Sequence, residues 1–317
     1  MRAVFLDFGT VSSGDLSTAS LEQVLPGILL HEQTPPDQIA ARVAGFEAVL
    51  ANKSVIDGAA IAANPQLRLI ALTATGVDNV DVAAAQHAGI AVCNLRDYCT
   101  TSVVQHVFAM LLALTHRLAD YHALVRNGGW QRAGSFSVFP YPIRELRGRV
   151  LGIVGHGALG RAVGRAAASF GMRIEIANRP GGAAVAGRGD LDELLPRIDV
   201  LSLHCPLTDA TRNLISRERL ACMKPDAILI NTARGALVDA TALADALRNR
   251  RLSGAGIDVL EREPPPSGHP LLAGDIPNLI VTPHVAWAAR EARQRCLDEL
   301  ALNVQAFLAG ERRNRVC

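Results

Sequence analysis

Three side chains of complementary chemistry stand just past short aliphatic runs in the second half of the chain. Arg234 follows Ala227-Ile228-Leu229-Ile230-Asn231 and Thr232-Ala233. Glu263 follows Gly256-Ile257-Asp258-Val259 and opens a Glu-Pro-Pro string, and His284 follows Leu279-Ile280-Val281 and Thr282-Pro283. In an open parallel sheet the ligand lies beyond the carboxyl ends of the strands, so these residues are expected to converge. An arginine grips a carboxylate through two parallel hydrogen bonds and polarises the adjacent carbonyl. A histidine protonates the alkoxide that forms as hydride arrives, and a carboxylate on its other ring nitrogen keeps it charged and oriented. That set suits reduction of a 2-oxo acid. Glu261, two residues before Glu263, is the alternative partner for histidine, although the Glu-Pro-Pro context favours Glu263. His106, His204 and Cys205 read as packing or helix-interface residues rather than catalysts.

Hydride needs a donor, and one segment is built to hold it. Val150-Leu151-Gly152-Ile153-Val154 runs straight into Gly155-His156-Gly157-Ala158-Leu159-Gly160, and an Ala-rich helical pattern follows to Phe170. A G-x-G-x-x-G string alone is weak, but here it lies between an apolar strand and a helix. Gly155 permits the tight turn, Gly157 admits a pyrophosphate to the backbone, and Gly160 lets helix and strand pack closely. The next strand, Met172 to Ala177, ends in Asn178-Arg179 where an acid would hold a ribose 2′-hydroxyl. Asn178 does not repel a 2′-phosphate and Arg179 can pair with one. The bland alternative is that Arg179 is an ordinary surface residue and that Glu175, inside the strand, is salt-linked. The reading is NAD(P)H with a lean to NADPH.

The elements that must position these residues alternate along the chain. Strands are expected at 2–7, 47–51, 67–72, 89–93, 150–154, 173–177, 199–204, 227–231, 254–259 and 278–282, with helical patterns between them. Such alternation reads as βαβ units and parallel sheets. The pattern breaks at 98–149, where a long apolar helix (about 101–119) precedes a loop rich in Gly, Phe and Pro. This break is the expected boundary between two α/β units. A helix after Ala286 and a basic tail, Arg312-Arg313-Asn314-Arg315, close the chain, and the tail reads as a solvated end.

Composition agrees with a soluble α/β chain. The 317 residues are 49% hydrophobic and 20% charged, with eight Phe, three Tyr and two Trp. Disorder is excluded by that apolar content. A formal charge of +2 gives no support to nucleic-acid or anionic-membrane binding. The six cysteines form no C-x-x-C pair and no zinc spacing, so neither disulfides nor a metal is expected. The N-terminus lacks a secretory pattern and the longest apolar stretch is too short for a bilayer, which makes cytoplasm the expectation.

Taken in order, Gly155-x-Gly157-x-x-Gly160, Asn231-Thr-Ala-Arg234-Gly235, Asp258-x(4)-Glu263-Pro264 and Thr282-Pro-His284 resemble the signatures of the D-isomer-specific 2-hydroxyacid dehydrogenases. The resemblance covers essentially the whole chain. It implies Arg234 as substrate anchor, Glu263 as the acid paired with histidine, and His284 as general acid/base. It places Asp258 near the nicotinamide carboxamide, Thr232 and Ala233 along the cofactor, and Cys205-Pro206 at the adenine pocket. Thr75-Gly76-Val77 resembles the family's backbone-amide carboxylate site, and Lys53 lies at the edge of the substrate domain. The implied fold is a flavodoxin-like substrate domain (1–97 plus 286–317) with an inserted Rossmann domain (98–285) and the cleft between them. The helix after residue 98 and the aromatic loop before 150 match a hinge and a dimer arm, implying a homodimer. Within the family, His284-Val-Ala-Trp287 and Ser137-Val-Phe139-Pro-Tyr-Pro look closest to glycerate dehydrogenases that reduce hydroxypyruvate. Formate dehydrogenases of the family carry glutamine where Glu263 stands. Reduction of hydroxypyruvate or glyoxylate is the expectation. The alternatives are another 2-hydroxy acid, such as 3-phosphoglycerate or D-lactate, and an NAD(H)-sensing corepressor-like role.

Overall fold

The computed structural model describes residues 1–317, which divide into two compact units, Met1–Cys99 with Trp287–Cys317, and Thr100–Ala286. The first contains a parallel sheet of β1 (Ala3–Phe5), β2 (Leu29–Leu30), β3 (Ala48–Ala51), β4 (Leu69–Leu72) and β5 (Ala91–Cys93). Its strand order is β2-β1-β3-β4-β5, the flavodoxin-like arrangement. Residues of β3 and β4 are buried throughout because helices cover both faces, which explains their unbroken aliphatic runs. Aspartates start two of the connecting helices: Asp57 accepts from the Ala60 N–H before Gly58–Ala62, and Asp81 from the Ala84 N–H before Val82–His87.

The C-terminal helix, Arg290–Leu308, belongs to this first unit. It buries Cys296, Leu297, Leu300, Ala301 and Val304 in one core with Leu21 and Leu25. The basic tail departs from the solvated end expected for it. The Val316 N–H donates to Val92 O at 2.7 Å, the Asn94 N–H to Asn314 O at 3.1 Å, and Cys93 bridges Arg315 in antiparallel fashion. Arg313 reaches Glu299 at 2.6 Å. Backbone pairing along the open edge of β5 outweighs the tail's preference for water. The short strand β2 has no counterpart among the expected strands, because two residues are too few to show a period.

The second unit is a six-stranded parallel sheet: β6 (Val150–Val154), β7 (Arg173–Ile176), β8 (Val200–Leu203), β9 (Ile228–Asn231), β10 (Gly254–Ile257) and β11 (Leu279–Val281), in the order β11-β10-β9-β8-β6-β7. Beyond β7, Gly189 forms an isolated parallel bridge with Ala177. The chain reverses direction across the sheet at β6, so the crevice for a dinucleotide opens between the ends of β6 and β8. The long helix expected at 101–119 runs from Thr100 to His116. Arg117 then turns left-handed (φ 54°) and a second helix, Leu118–Arg126, begins. No single helix is long and apolar enough to cross a membrane.

Candidate active site

The glycine loop has the form a pyrophosphate requires. Gly155 sits at φ +95°, and a Cβ there would lie 2.5 Å from both the Cys205 nitrogen and the His204 carbonyl carbon. Only glycine lets β6 turn so close to the end of β8. A Cβ on Gly160 would lie 2.1 Å from the Gly155 carbonyl oxygen, so the following helix (Ala158–Ser169) could not approach the strand with any side chain there. Gly157 is different: a Cβ there meets nothing within 4 Å. That open face beside an N-terminus of unspent N–H groups is where an anion fits. Thr232 Oγ1, at the end of β9, is shielded from solvent and has no hydrogen-bond partner within the chain. An orphaned hydroxyl of this kind is costly unless a ligand completes it, so the residues present fit a bound dinucleotide.

Around the nominated ribose site, Glu175 pairs with Arg197 at 3.1 Å, the salt link expected of it. The Asn178 side-chain carbonyl accepts from the Val185 N–H at 3.0 Å and so shapes the loop beyond β7, while Arg179 is exposed. Burial, together with the charges of Arg188 and Arg161, pushes the His156 imidazole below its ordinary value. His204 is paired through Nε2 with Ser202 Oγ at 2.8 Å, and burial drives its ring down to about 4, so it is a neutral core residue. Cys205 is buried, and burial raises its thiol to about 11, which makes it inert packing. Pro206 O accepts from the Thr211 hydroxyl at 2.8 Å, which fixes the turn after β8.

The three charged side chains hang from strand ends of this same sheet. Asn231 is fully buried; its side chain accepts from the Ala233 N–H at 3.0 Å and donates to Arg234 O at 2.9 Å, so the turn bearing Arg234 is rigid. Arg234 Nη1 also donates to Ala233 O at 2.8 Å. Gly235 packs directly on the next loop, where a Cβ would fall 1.9 Å from the Leu260 carbonyl carbon. That contact ties the Arg234 turn to the loop that carries Glu263. Glu263 Oε2 lies 2.6 Å from His284 Nδ1, and its other oxygen accepts from the Leu260 N–H at 2.9 Å. Glu261 faces elsewhere: it pairs with the buried His269 at 3.1 Å. Because Nδ1 bonds a carboxylate it carries the proton, and Nε2 becomes the nitrogen able to exchange a proton with a substrate.

Asp258 is 1% exposed and makes its bonds within the His284 loop. It accepts from the Thr282 hydroxyl and from the Val285 and Ala286 N–H groups. The sequence reads His106 as a packing or helix-interface residue, and its Nε2 lies 3.0 Å from Thr282 Oγ1. No motif announces such a role, since His106 lies far upstream on an otherwise apolar helix.

The remaining nominated residues lie in the first unit. Asp7, at the end of β1, accepts from the Asn52, Lys53 and Ser54 N–H groups at 2.8, 2.6 and 2.7 Å. This clamp holds the loop on which exposed Lys53 stands. Thr75-Gly76-Val77 forms the turn after β4: Asn94 Nδ2 donates to Thr75 O at 2.7 Å and the Val80 N–H to Val77 O at 3.0 Å.

Comparison with known proteins agrees with this geometry. Residues 108–286 match the D-isomer specific 2-hydroxyacid dehydrogenase, NAD binding domain. The chain is 44% identical to a glycerate dehydrogenase of Methylorubrum extorquens over 89% of this chain and 88% of that protein. It is 33% identical to a hydroxypyruvate reductase of Blautia hydrogenotrophica over 98% of each. A solved acyclic imino acid reductase in complex with NADPH and D-Arg superposes with a TM-score of 0.87 at 27% identity, covering all of both chains. The glycine loop, the strand-end arginine and the Glu263–His284 pair thus sit in a chain that belongs to the D-isomer-specific 2-hydroxyacid dehydrogenases, oxidoreductases of 2-hydroxy acids with a nicotinamide dinucleotide cofactor.

Proposed function

We propose that the chain is a D-2-hydroxyacid dehydrogenase that reduces hydroxypyruvate to D-glycerate and glyoxylate to glycolate. The observation that carries the reading is the 2.6 Å pairing of His284 with Glu263, on loops that follow β11 and β10 of the sheet whose β9 leads to Arg234. A nicotinamide dinucleotide held by the glycine loop and Thr232 would supply the hydride for the carbonyl carbon. Arg234 holds the substrate carboxylate and draws electron density from the neighbouring carbonyl. His284 gives its Nε2 proton to the carbonyl oxygen as negative charge grows there, and Glu263 stabilises the imidazolium beforehand. In the reverse direction the same imidazole takes the hydroxyl proton. Thr75, Gly76 and Val77 are assigned to the substrate carboxylate and Lys53 to substrate binding. Gly155 to Gly160, Cys205, Pro206, Thr232, Ala233 and Asp258 are assigned to the cofactor. The names of the glycerate dehydrogenase and hydroxypyruvate reductase relatives support this substrate class.

NADPH is the proposed preference, because Asn178 and Arg179 stand where an acid would hold the ribose 2′-hydroxyl. A homodimer in the cytoplasm is proposed too. Its support is the number of large apolar residues exposed within 118–143: Phe136 at 95% and Phe139 at 83%, with Leu118, Trp130 and Ile143. Exposed apolar surface of this kind is expected where chains associate. The test follows consumption of NADPH and NADH with hydroxypyruvate, glyoxylate, pyruvate and 3-phosphohydroxypyruvate. Hydroxypyruvate or glyoxylate with NADPH should give the highest kcat/KM; no turnover with any of the four would sink the reading.

A further inference from the structure

The helix Thr100–His116 touches the His284 loop at both ends. Ser102 Oγ donates to Ala286 O at 2.6 Å. His106, one turn later on the same face, places Nε2 at 3.0 Å from Thr282 Oγ1 and 3.6 Å from Asp258 Oδ1. Donor directions follow from the atoms available. A threonine hydroxyl has one proton, and Thr282 directs it to Asp258 Oδ1 at 2.5 Å. Thr282 Oγ1 is therefore an acceptor toward His106, which must carry its proton on Nε2. Asp258 then uses both oxygens on the amides that follow the catalytic imidazole, Val285 N–H at 2.9 Å and Ala286 N–H at 2.9 Å.

His284 itself is held in an unusual backbone state. Its φ is +56°, a left-handed conformation that side-chain-bearing residues seldom adopt, and its N–H donates to Asp258 O at 2.8 Å. A strained residue persists only when its surroundings over-determine it. Here the surroundings are the Asp258 carboxylate, which holds the Val285 and Ala286 N–H groups, and Ser102 and His106, which hold Ala286 O and Thr282 Oγ1.

We propose that His106 is a positioning residue for His284. It donates to Thr282, fixes the Thr282–Asp258 hydrogen bond, and so holds the 282–286 loop in the geometry that presents the imidazole. A histidine kept for packing alone would not need its N–H; an apolar side chain of similar volume would serve. The inference rests on His284 being the proton donor of the reaction proposed above.

The test compares His106→Leu, His106→Gln, Thr282→Val and the His106→Leu/Thr282→Val double variant with the wild type. Gln keeps an N–H donor near the position of Nε2. His106→Leu and Thr282→Val should each lower kcat by about 10- to 100-fold, the scale of a small misplacement of a catalytic group. Cofactor Kd and substrate KM should stay within about twofold, Gln should restore most of the rate, and the double variant should be no worse than the poorer single one. In NMR spectra of histidine-labelled protein, the His284 ring signal should move in the Leu and Val variants and return in the Gln variant. Unchanged kcat and an unmoved His284 signal in His106→Leu would overturn the proposal. Equal loss of rate and cofactor affinity, not rescued by Gln, would reduce His106 to packing and overturn it as well. If His106→Leu does not fold, Ser102→Ala with Thr282→Val carries the same comparison. A wild type without turnover on any 2-oxo acid would refute the proposed reaction, and the NMR comparison would still decide the positioning role.

Discussion

Glu261 and Glu263 are separated by one residue and meet different histidines. Glu263 lies against His284 and Glu261 against buried His269. The Glu-Pro-Pro context favours Glu263 in the sequence, but the partner of Glu261 shows only in the folded loop, because His269 stands in a Pro-rich stretch without any period. Replacing Glu263 by Gln keeps the volume and removes the charge that favours imidazolium. We expect kcat to fall by roughly 10²-fold with cofactor affinity unchanged, measured by steady-state kinetics and fluorescence titration. His204 makes a second residue-scale prediction. Burial lowers its folded value from 6.5 to about 4, so the folded state prefers the neutral ring. A depressed value gives stability that is complete above 6.5 and lost as pH falls toward 4, roughly 3 kcal/mol in all. Urea unfolding of His204→Asn should show a weaker loss of stability than wild type between about pH 7 and about pH 4.5.

At the scale of elements, the strands that hold the site were the most legible feature. Val200–Leu203 and Ile228–Asn231 are buried throughout, and apart from Ser202 and the closing Asn231 they read as aliphatic runs. Strand ends are legible for the same reason, since a polar residue after an apolar run marks where the sheet stops. What stayed hidden depends on tertiary pairing. The tail at 312–316 adds to the edge of β5 against its own polar composition, and His106 finds Thr282 across the interior of one unit. The C-terminal helix shows how such pairing is sustained. Leu300 is fully buried with Leu21 and Leu25, so Leu300→Ala should cost about 2–5 kcal/mol through lost burial and the cavity left behind. Thermal denaturation should report that loss; a Tm within about a degree of wild type would show the helix does not anchor this core.

For the whole molecule, a formal charge of +2 conceals where charge matters. Arg234 stands in the turn after β9, and beside the glycine loop His156 is held below its ordinary value by burial and by Arg188 and Arg161. The aromatic residues are equally uneven: few in number, yet Phe136 and Phe139 stand almost fully exposed. If that surface is a dimer contact, Phe136→Ser with Phe139→Ser should convert the protein to a monomer in sedimentation velocity, and an unchanged mass would refute the contact. The central claim is that this nicotinamide-dependent oxidoreductase protonates its 2-oxo acid through His284. The most direct measurement mixes His284→Ala with reduced cofactor and hydroxypyruvate and follows the nicotinamide absorbance in a single turnover. Cofactor should bind with its wild-type Kd while hydride transfer slows by about 10²–10⁴-fold. Hydride transfer at the wild-type rate in that variant would contradict the claim.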